Sequence, residues 1–464
     1  MFFFNKKSFY PHTKCVTISK VINLKGIKIV MKQKLEFGKI IAVALMLFAM
    51  FFGAGNMIFP PMLGHLSGDN FLQSVAGFVV TDAGLSVLAI AAVVFAGSKL
   101  DDLAGVIGPK FSVFLGVVVY MLIGPLFALP RTGVVSFEMA VASFVPEEVS
   151  LSLVCVIFTA IFFTVTYFLC LNPNKIVDVI GKFLTPFLII SIGIIFVVSI
   201  INPVGEIGAA TGEYKDIPFF KGLVEGYLAL DGLAALVFAI IVINTLKGLG
   251  ITEKKSITKY TLVSGVLAGL GLALTYMALG YVGAQTTMSE YNNGGQLLAS
   301  VVNQMLGATG SVILGIAVLL ACLTTSIGLA SSFSDYFHQL MPKLSYNTLL
   351  KIVCIFSFAI SNVGLDVLIK VTLPALVMIY PPIITLVLLS FFKKIIKGRR
   401  APYILAMSGA FIVGVFDGMK SAGITLGGIG EMVSRLPFFD LGIGWLVPAI
   451  IGCVAGLLFK PIVK

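Results

Sequence analysis

Three short stretches carry residues whose types and spacing could do chemistry in an otherwise apolar chain. The first is Phe48-Ala49-Met50-Phe51-Phe52-Gly53-Ala54-Gly55-Asn56-Met57-Ile58-Phe59-Pro60-Pro61. Gly53 and Gly55 flank one small residue, and each glycine lowers helix propensity by roughly 1 kcal/mol. An apolar helix interrupted there exposes N–H and C=O groups, which hydrocarbon tolerates only where protein, water or a ligand takes them up. The alternative is that the glycines let another helix pack closely. The second stretch, Gly226-Tyr227-Leu228-Ala229-Leu230-Asp231-Gly232, sets a carboxylate and a glycine in the middle of an apolar run. Burying an aspartate there costs about 2.5 kcal/mol or more, so such groups normally face a cavity or a partner. The third, Ala321-Cys322-Leu323-Thr324-Thr325-Ser326-Ile327-Gly328, holds three consecutive hydroxyls. A single membrane-helix Thr or Ser most often bonds back to the carbonyl four residues earlier. Three in a row, with neighbouring carbonyls, suit a monovalent cation, which cannot repay the desolvation of two charged ligands.

The elements that must position these groups follow from composition. Hydrophobic residues make up 58% of the 464 positions and charged residues 11%, with a mean hydropathy of +1.06. That is too apolar for a soluble globular chain and reads as an all-α polytopic membrane protein. The net charge of +11 does not point to nucleic acid, because the basic residues sit in short links between apolar runs. Cys155, Cys170, Cys322, Cys354 and Cys453 lie within those runs and show no metal or disulfide spacing. His12, His65 and His338 form no catalytic set, and no nucleotide-binding loop appears, so neither enzyme chemistry nor pumping by ATP is expected. A channel would need a continuous polar stripe along several helices.

Apolar runs of spanning length number twelve: 40–64, 71–96, 111–144, 150–171, 177–201, 219–246, 257–284, 308–338, 349–364, 366–392, 402–417 and 441–459. Lysines and arginines crowd alternate links, for example Lys247, Lys254, Lys255 and Lys259, then Lys393, Lys394, Lys397, Arg399 and Arg400. The remaining links hold only Lys215, Lys221, Lys420 and Arg435. The asymmetry predicts cytoplasmic N- and C-termini and an even number of spans. Residues 1–30 carry six lysines without a signal-peptide core. They read as a disordered cytoplasmic tail or, on the sharper reading, as an upstream translation artefact ahead of a start at Met31. The interrupted runs are the first and the sixth, the spacing of two five-span repeats of opposite orientation. Their breaks would meet at mid-membrane, where half-helix N-termini can hold a carboxylate and free carbonyls a cation.

These motifs resemble a known family. Phe51-Phe52-Gly53-Ala54-Gly55-Asn56 through Phe59-Pro60-Pro61, Gly124-Pro125-Leu126-Phe127-Ala128-Leu129-Pro130-Arg131-Thr132, Glu225-Gly226-Tyr227 and Leu323-Thr324-Thr325-Ser326-Ile327-Gly328-Leu329 look like the bacterial branched-chain amino-acid carriers of the system II or BrnQ type. Those carriers belong to the LeuT-type superfamily of secondary transporters. The resemblance runs from Lys34 to Phe459 and leaves the N-terminal extension outside. It implies that Gly53, Ala54 and Gly55 offer N–H groups to a substrate carboxylate, with Asn56 opening the outer half-helix. Ala229, Leu230, Asp231, Gly232 and Tyr120 complete the expected substrate site. It also implies a Na⁺ site made by Ala49 and Phe52 with Ala321, Thr324 and Thr325. No arginine stands in the outer half of span one, where many sodium-coupled relatives have a gate cation. Arg131 is the available replacement, paired with Glu138 or Asp231, or else a helix cap. Phe52, Met57, Tyr120, Leu230 and Phe238 are bulky enough to wall an aliphatic pocket.

The expectation is therefore an all-α, LeuT-type carrier of twelve spans. Residues 31–218 form the first inverted repeat and 219–392 the second, with two added C-terminal spans in 393–464. It would import leucine, isoleucine and valine across the bacterial plasma membrane by sodium symport, without a cofactor and without nucleic-acid partners. The alternative is proton coupling, or another small neutral solute on the same fold. Asp231 is left with three roles: accepting the substrate ammonium, carrying a coupling proton, or pairing with Arg131.

Overall fold

The computed structural model describes residues 35–171, 185–287, 290–424 and 427–459, and the expected N-terminal extension lies outside them. The described residues are helical throughout, with no β-strand among them. Eight helical stretches are long and apolar enough to cross a bilayer. Four shorter apolar helices join them: Phe37–Phe51, Thr185–Ile201, Tyr346–Ser361 and Leu446–Leu458. Among the described residues the twelve expected runs are thus not twelve long helices, and the interruption of the first run is one reason.

The first run shows why. Helix α1 (Phe37–Phe51) ends where Gly53 N–H turns to the Asn56 side chain, donating to Oδ1 at 3.0 Å. An uninterrupted helix would give that proton to the carbonyl of Ala49, which is left without its i+4 donor. Helix α2 (Ala54–Ser67) then restarts with Asn56 in its first turn. Next come α3 (Phe71–Val79), a π-turn over Val80–Gly84, α4 (Leu85–Ala96) and the short α5 (Leu100–Ala104). Helix α6 (Pro109–Met121) passes through a second π-turn, Leu122–Leu126, into α7 (Ala128–Ala140). Pro125 offers no N–H and Gly124 is non-helical at φ −87°, ψ −119°, so the run bends before Arg131. Helices α8 (Leu151–Cys170) and α9 (Thr185–Ile201) follow.

The sixth run repeats the interruption. Helix α10 (Pro218–Glu225) tightens into a 3₁₀ turn over Gly226–Ala229, Leu230 takes a left-handed conformation at φ 73°, and α11 (Asp231–Gly248) starts afresh. A left-handed leucine costs of order 1–3 kcal/mol and persists only where its surroundings over-determine it. Helix α12 (Lys254–Ala284) is continuous, whereas α13 (Gly294–Leu340) kinks at Gly307, where φ is 63°. The chain closes with α14 (Tyr346–Ser361), α15 (Leu365–Phe391), the single turn α16 (Lys393–Ile396), α17 (Ala401–Ser421), α18 (Gly427–Ser434) and α19 (Leu446–Leu458).

Helix α2 packs on α12 and on the start of α13, α7 lies along α13, and α15, α17 and α19 pack in series. Several of these seams bring backbone against backbone. A Cβ added at Gly64 would run into the carbonyl of Gly280, one at Gly283 into that of Pro61, and one at Gly294 into that of Ile58. Gly77 and Gly222 make the same kind of reciprocal approach between α3 and α10. With no hydrophobic force between helices in lipid, such small-residue contacts are what dispersion can use. Gly64→Leu is therefore expected to push α2 off α12 and strip the protein from the folded, monodisperse peak in mild detergent. A variant that elutes and unfolds like the parent would show that the seam is not tight. On the outside, Ile157, Ile161 and Phe168 of α8 are more than half exposed, as suits a surface facing hydrocarbon.

Candidate functional site

The two breaks face each other across a small cavity lined by Gly53, Ala54, Gly55 and Asn56 from the first, and by Ala229, Leu230 and Asp231 from the second. Met50, Phe51, Ile123, Ala128, Arg131, Thr132, Ala234, Phe238, Thr325 and Leu329 close it. About 20 Å³ is free within it, on the order of one water molecule. Taking in a solute larger than water requires these walls to part.

Asn56 ties the breaks together. Its Oδ1 holds Gly53 N–H, while its Nδ2 donates to Asp231 Oδ2 at 2.6 Å and to the Tyr276 hydroxyl at 2.5 Å. Tyr276, from α12, donates to Asp82 Oδ2 and lies 3.4 Å from Asp231 Oδ2. Two carboxyl groups, Asp82 at 0% and Asp231 at 4% exposure, are thus joined through one phenol, and Asp82 Oδ1 has no hydrogen-bond partner among the described residues. Asp82 escaped the sequence reading. The signal was available, since it is a carboxylate in the apolar run 71–96. The π-turn over Val80–Gly84 is the local distortion that carries it, and such turns are frequent at functional sites. Removing the shared hydroxyl by Tyr276→Phe takes the donor from Asp82 Oδ2 while Asp231 keeps Asn56, and leaves the buried Asp82 carboxyl unsatisfied, at about 1–3 kcal/mol. A lower apparent unfolding temperature in detergent is the expected result, and an unchanged one would mean the hydroxyl holds nothing.

Arg131, 5% exposed, donates from Nη1 to the carbonyl of Leu228 at 2.6 Å and from Nη2 to that of Ala229 at 3.0 Å. Its guanidinium lies 5.1 Å from the centre of the Phe59 ring. Among the described residues it makes no direct ion pair within 4.0 Å with either expected partner, Asp231 or Glu138. Glu138 stands instead at the start of α13, beside Gly295, whose Cβ would be 3.5 Å from Oε2.

Near the first break, Thr324 Oγ1 is 3.4 Å from the carbonyl of Ala49 and 2.8 Å from that of Ala321, while Thr325 Oγ1 is buried without a hydrogen-bond partner among the described residues. A Cβ at Gly53 would stand 2.7 Å from Thr325 Oγ1, so this hydroxyl borders the first break. Phe52 is fully buried, its ring stacked on Phe48 at 5.3 Å. The helix break thus leaves the Ala49 carbonyl with Thr324 Oγ1 as its neighbour at 3.4 Å, while the Thr325 hydroxyl borders the cavity.

Two expected substrate residues lie elsewhere. Tyr120 does not line the cavity, its ring being stacked on Tyr336 at 4.1 Å. Gly232 faces packing, since a Cβ there would meet Leu85 at 2.8 Å and Tyr380 at 3.3 Å. Of the bulky wall candidates, Leu230 and Phe238 line the cavity, and Phe52 and Met57 are buried outside its lining.

Interrupted first and sixth helices meeting over a buried cavity define a LeuT-type transporter fold. Solved structures agree with that class. One is Mhp1, a nucleobase-cation-symport-1 family transporter, in a closed conformation with bromovinylhydantoin bound. It matches at a TM-score of 0.61 and 15% identity, over 92% of this chain and 94% of that one. MhsT in complex with L-phenylalanine matches at 0.51 and 13% identity, over 90% of this chain and 98% of that one. Within that class the chain belongs to the branched-chain amino acid transport protein family, whose model matches residues 37–463. Curated relatives include the branched-chain amino acid permeases BraB and BrnQ of Bacillus subtilis. BraB is 44% identical over 92% of this chain and 96% of its own length, and BrnQ 43% over 93% and 98%. BrnQ of Escherichia coli is 36% identical over 92% and 97%. The protein is thus a multi-pass membrane permease of a bacterial family and not an enzyme.

Proposed function

We propose that this permease imports leucine, isoleucine and valine across the bacterial plasma membrane, with both chain ends cytoplasmic, and that a sodium gradient drives it. The observation that carries the reading is the meeting of the two breaks at one cavity, which the hydroxyl of Thr325, unpartnered among the described residues, also lines. Gly53, Ala54, Gly55 and Asn56 would meet the substrate's carboxylate, since the first N–H groups of α2 have no helical acceptor and carry the positive end of its dipole. Phe51, Leu230, Ala234 and Phe238 supply apolar wall for a branched side chain. The cation would be held by the carbonyls of Ala49, Phe52 and Ala321 and the hydroxyls of Thr324 and Thr325. Five neutral oxygens in a dry setting suit Na⁺.

Proton coupling is the second reading, favoured by the carboxyl groups of Asp82 and Asp231 joined through Tyr276. Counterflow of labelled leucine in proteoliposomes, with sodium and proton gradients imposed separately, tests both. Sodium-driven accumulation is the expected result. Accumulation with a pH gradient in the absence of sodium would favour the second reading, and no amino acid accumulated under either gradient would overturn the function.

A further inference from the structure

We propose that Arg131, held on the chain's own backbone carbonyls, is a substrate-carboxylate ligand, and that the substrate's two charges exchange places with this internal contact. The proposal deepens the amino-acid reading above and rests on it.

The argument starts from charge. A guanidinium has five N–H donors in a planar fork that matches a carboxylate. Arg131 spends two of them on neutral carbonyls of the second break, and its buried Nε has no hydrogen-bond partner among the described residues. Asp231, the anion in the same cavity wall, accepts from Asn56 and is not ion-paired to it. The guanidinium is therefore held by two carbonyl dipoles and the Phe59 ring, with no carboxylate in direct contact among the described residues.

Its second neighbour is of the same sign. A Cβ at Gly55 would fall 2.6 Å from Arg131 Nη2, so the guanidinium stands against the first turn of α2. That turn presents the positive end of a fourteen-residue helix. Two like-signed donor groups brought to one point have an anion as their common complement. An α-carboxylate placed between them would take a charge-assisted hydrogen bond from Arg131 and backbone N–H groups from Ala54 and Gly55.

The carbonyls of Leu228 and Ala229 complete the exchange. The 3₁₀ turn and left-handed Leu230 aim them into the space that Arg131 enters. Once the guanidinium turns to the carboxylate, these oxygens are free to accept the substrate's ammonium. Arg131 thus stands in for the ammonium when no substrate is bound. An amino acid satisfies both halves at once, whereas an amine or a carboxylic acid breaks the stored contact and replaces only one side.

The test is competition against labelled L-leucine on the purified full-length protein in detergent. The competitors are 3-methylbutylamine, which is leucine without its carboxylate, and 4-methylpentanoate, which lacks the ammonium. Losing a charge-assisted hydrogen bond weakens binding by about tenfold or more. Each competitor is therefore expected to bind the parent protein at least about tenfold more weakly than leucine. In Arg131→Gln, leucine should lose about tenfold or more while the amine holds or gains, because the Leu228 and Ala229 carbonyls are released. Arg131→Lys should recover part of the loss.

If Arg131→Gln weakens leucine and the amine by the same factor, the residue only shapes the cavity and the proposal falls. Should neither variant fold, the parent protein still decides, since an amine that binds as tightly as leucine overturns carboxylate recognition. A parent that ignores leucine, isoleucine and valine defeats the functional reading instead. The same three-way comparison, made with the amino acid it does bind, then judges Arg131.

Discussion

Leucine uptake is expected to fall to background in Gly55→Leu and in Gly53→Leu while the protein still inserts and purifies as a monodisperse species. Both glycines line the cavity, so the damage is to the site before it is to the fold. At Gly55 the first added carbon would already stand 2.6 Å from Arg131 Nη2 and 3.1 Å from the Ala229 backbone. At Gly53 it would stand 2.7 Å from Thr325 Oγ1. A side chain of leucine's size would fill a space of about 20 Å³ several times over and cover the N–H groups of the α2 first turn. Gly55→Ala, which adds one methyl, should retain a measurable fraction of uptake. Parental leucine affinity in either leucine variant would mean that the glycines serve packing alone.

The second large effect concerns the cation. Thr325→Val keeps the shape and deletes the hydroxyl, whereas Thr325→Ser keeps the oxygen. If that oxygen is a ligand, its loss costs about 1.5–3 kcal/mol. The sodium concentration for half-maximal uptake then rises about tenfold or more in the valine variant, with only a mild change in the serine variant. The opposite order is expected of a threonine that merely packs, because valine suits an apolar helix better than serine does. Thr324, whose hydroxyl sits between the carbonyls of Ala49 and Ala321, should follow the same order. Sodium dependence unaltered in all these variants would remove the site from α13.

How much of this was legible before the structure depends on the kind of signal. Gly53-Ala54-Gly55-Asn56 announces its break because glycine propensity acts locally, and Asp231 announces the second because a carboxylate in an apolar run is costly wherever it points. The same reasoning applied to run 71–96 would have found Asp82. What no spacing revealed was the phenol of Tyr276 between the two carboxyls, 194 residues from Asp82, since that contact is made by helix packing. Arg131 was legible as a charge needing a partner. Its partners turned out to be carbonyls, released by a 3₁₀ turn and a left-handed leucine that propensity does not foresee. Tyr120 was misplaced because aromatic identity says nothing about which face of α6 meets the cavity.

The glycine seams have a mechanical consequence. Where the α2 backbone rests directly on the backbones of α12 and the first turn of α13, there are no side chains to change rotamer and so no intermediate packing for the helices to slip through. Each seam acts like a keyed joint: it travels whole or it separates. The same holds between α3 and α10, which fastens the stretch leading into the second break. The compliance that lets the cavity widen must then reside where the chain is already bent, at the non-helical Gly124 and Gly307 and in the two breaks. The carrier is in this sense a set of stiff blocks with a few pivots, and the pivots at the breaks are also the surfaces that touch the cargo.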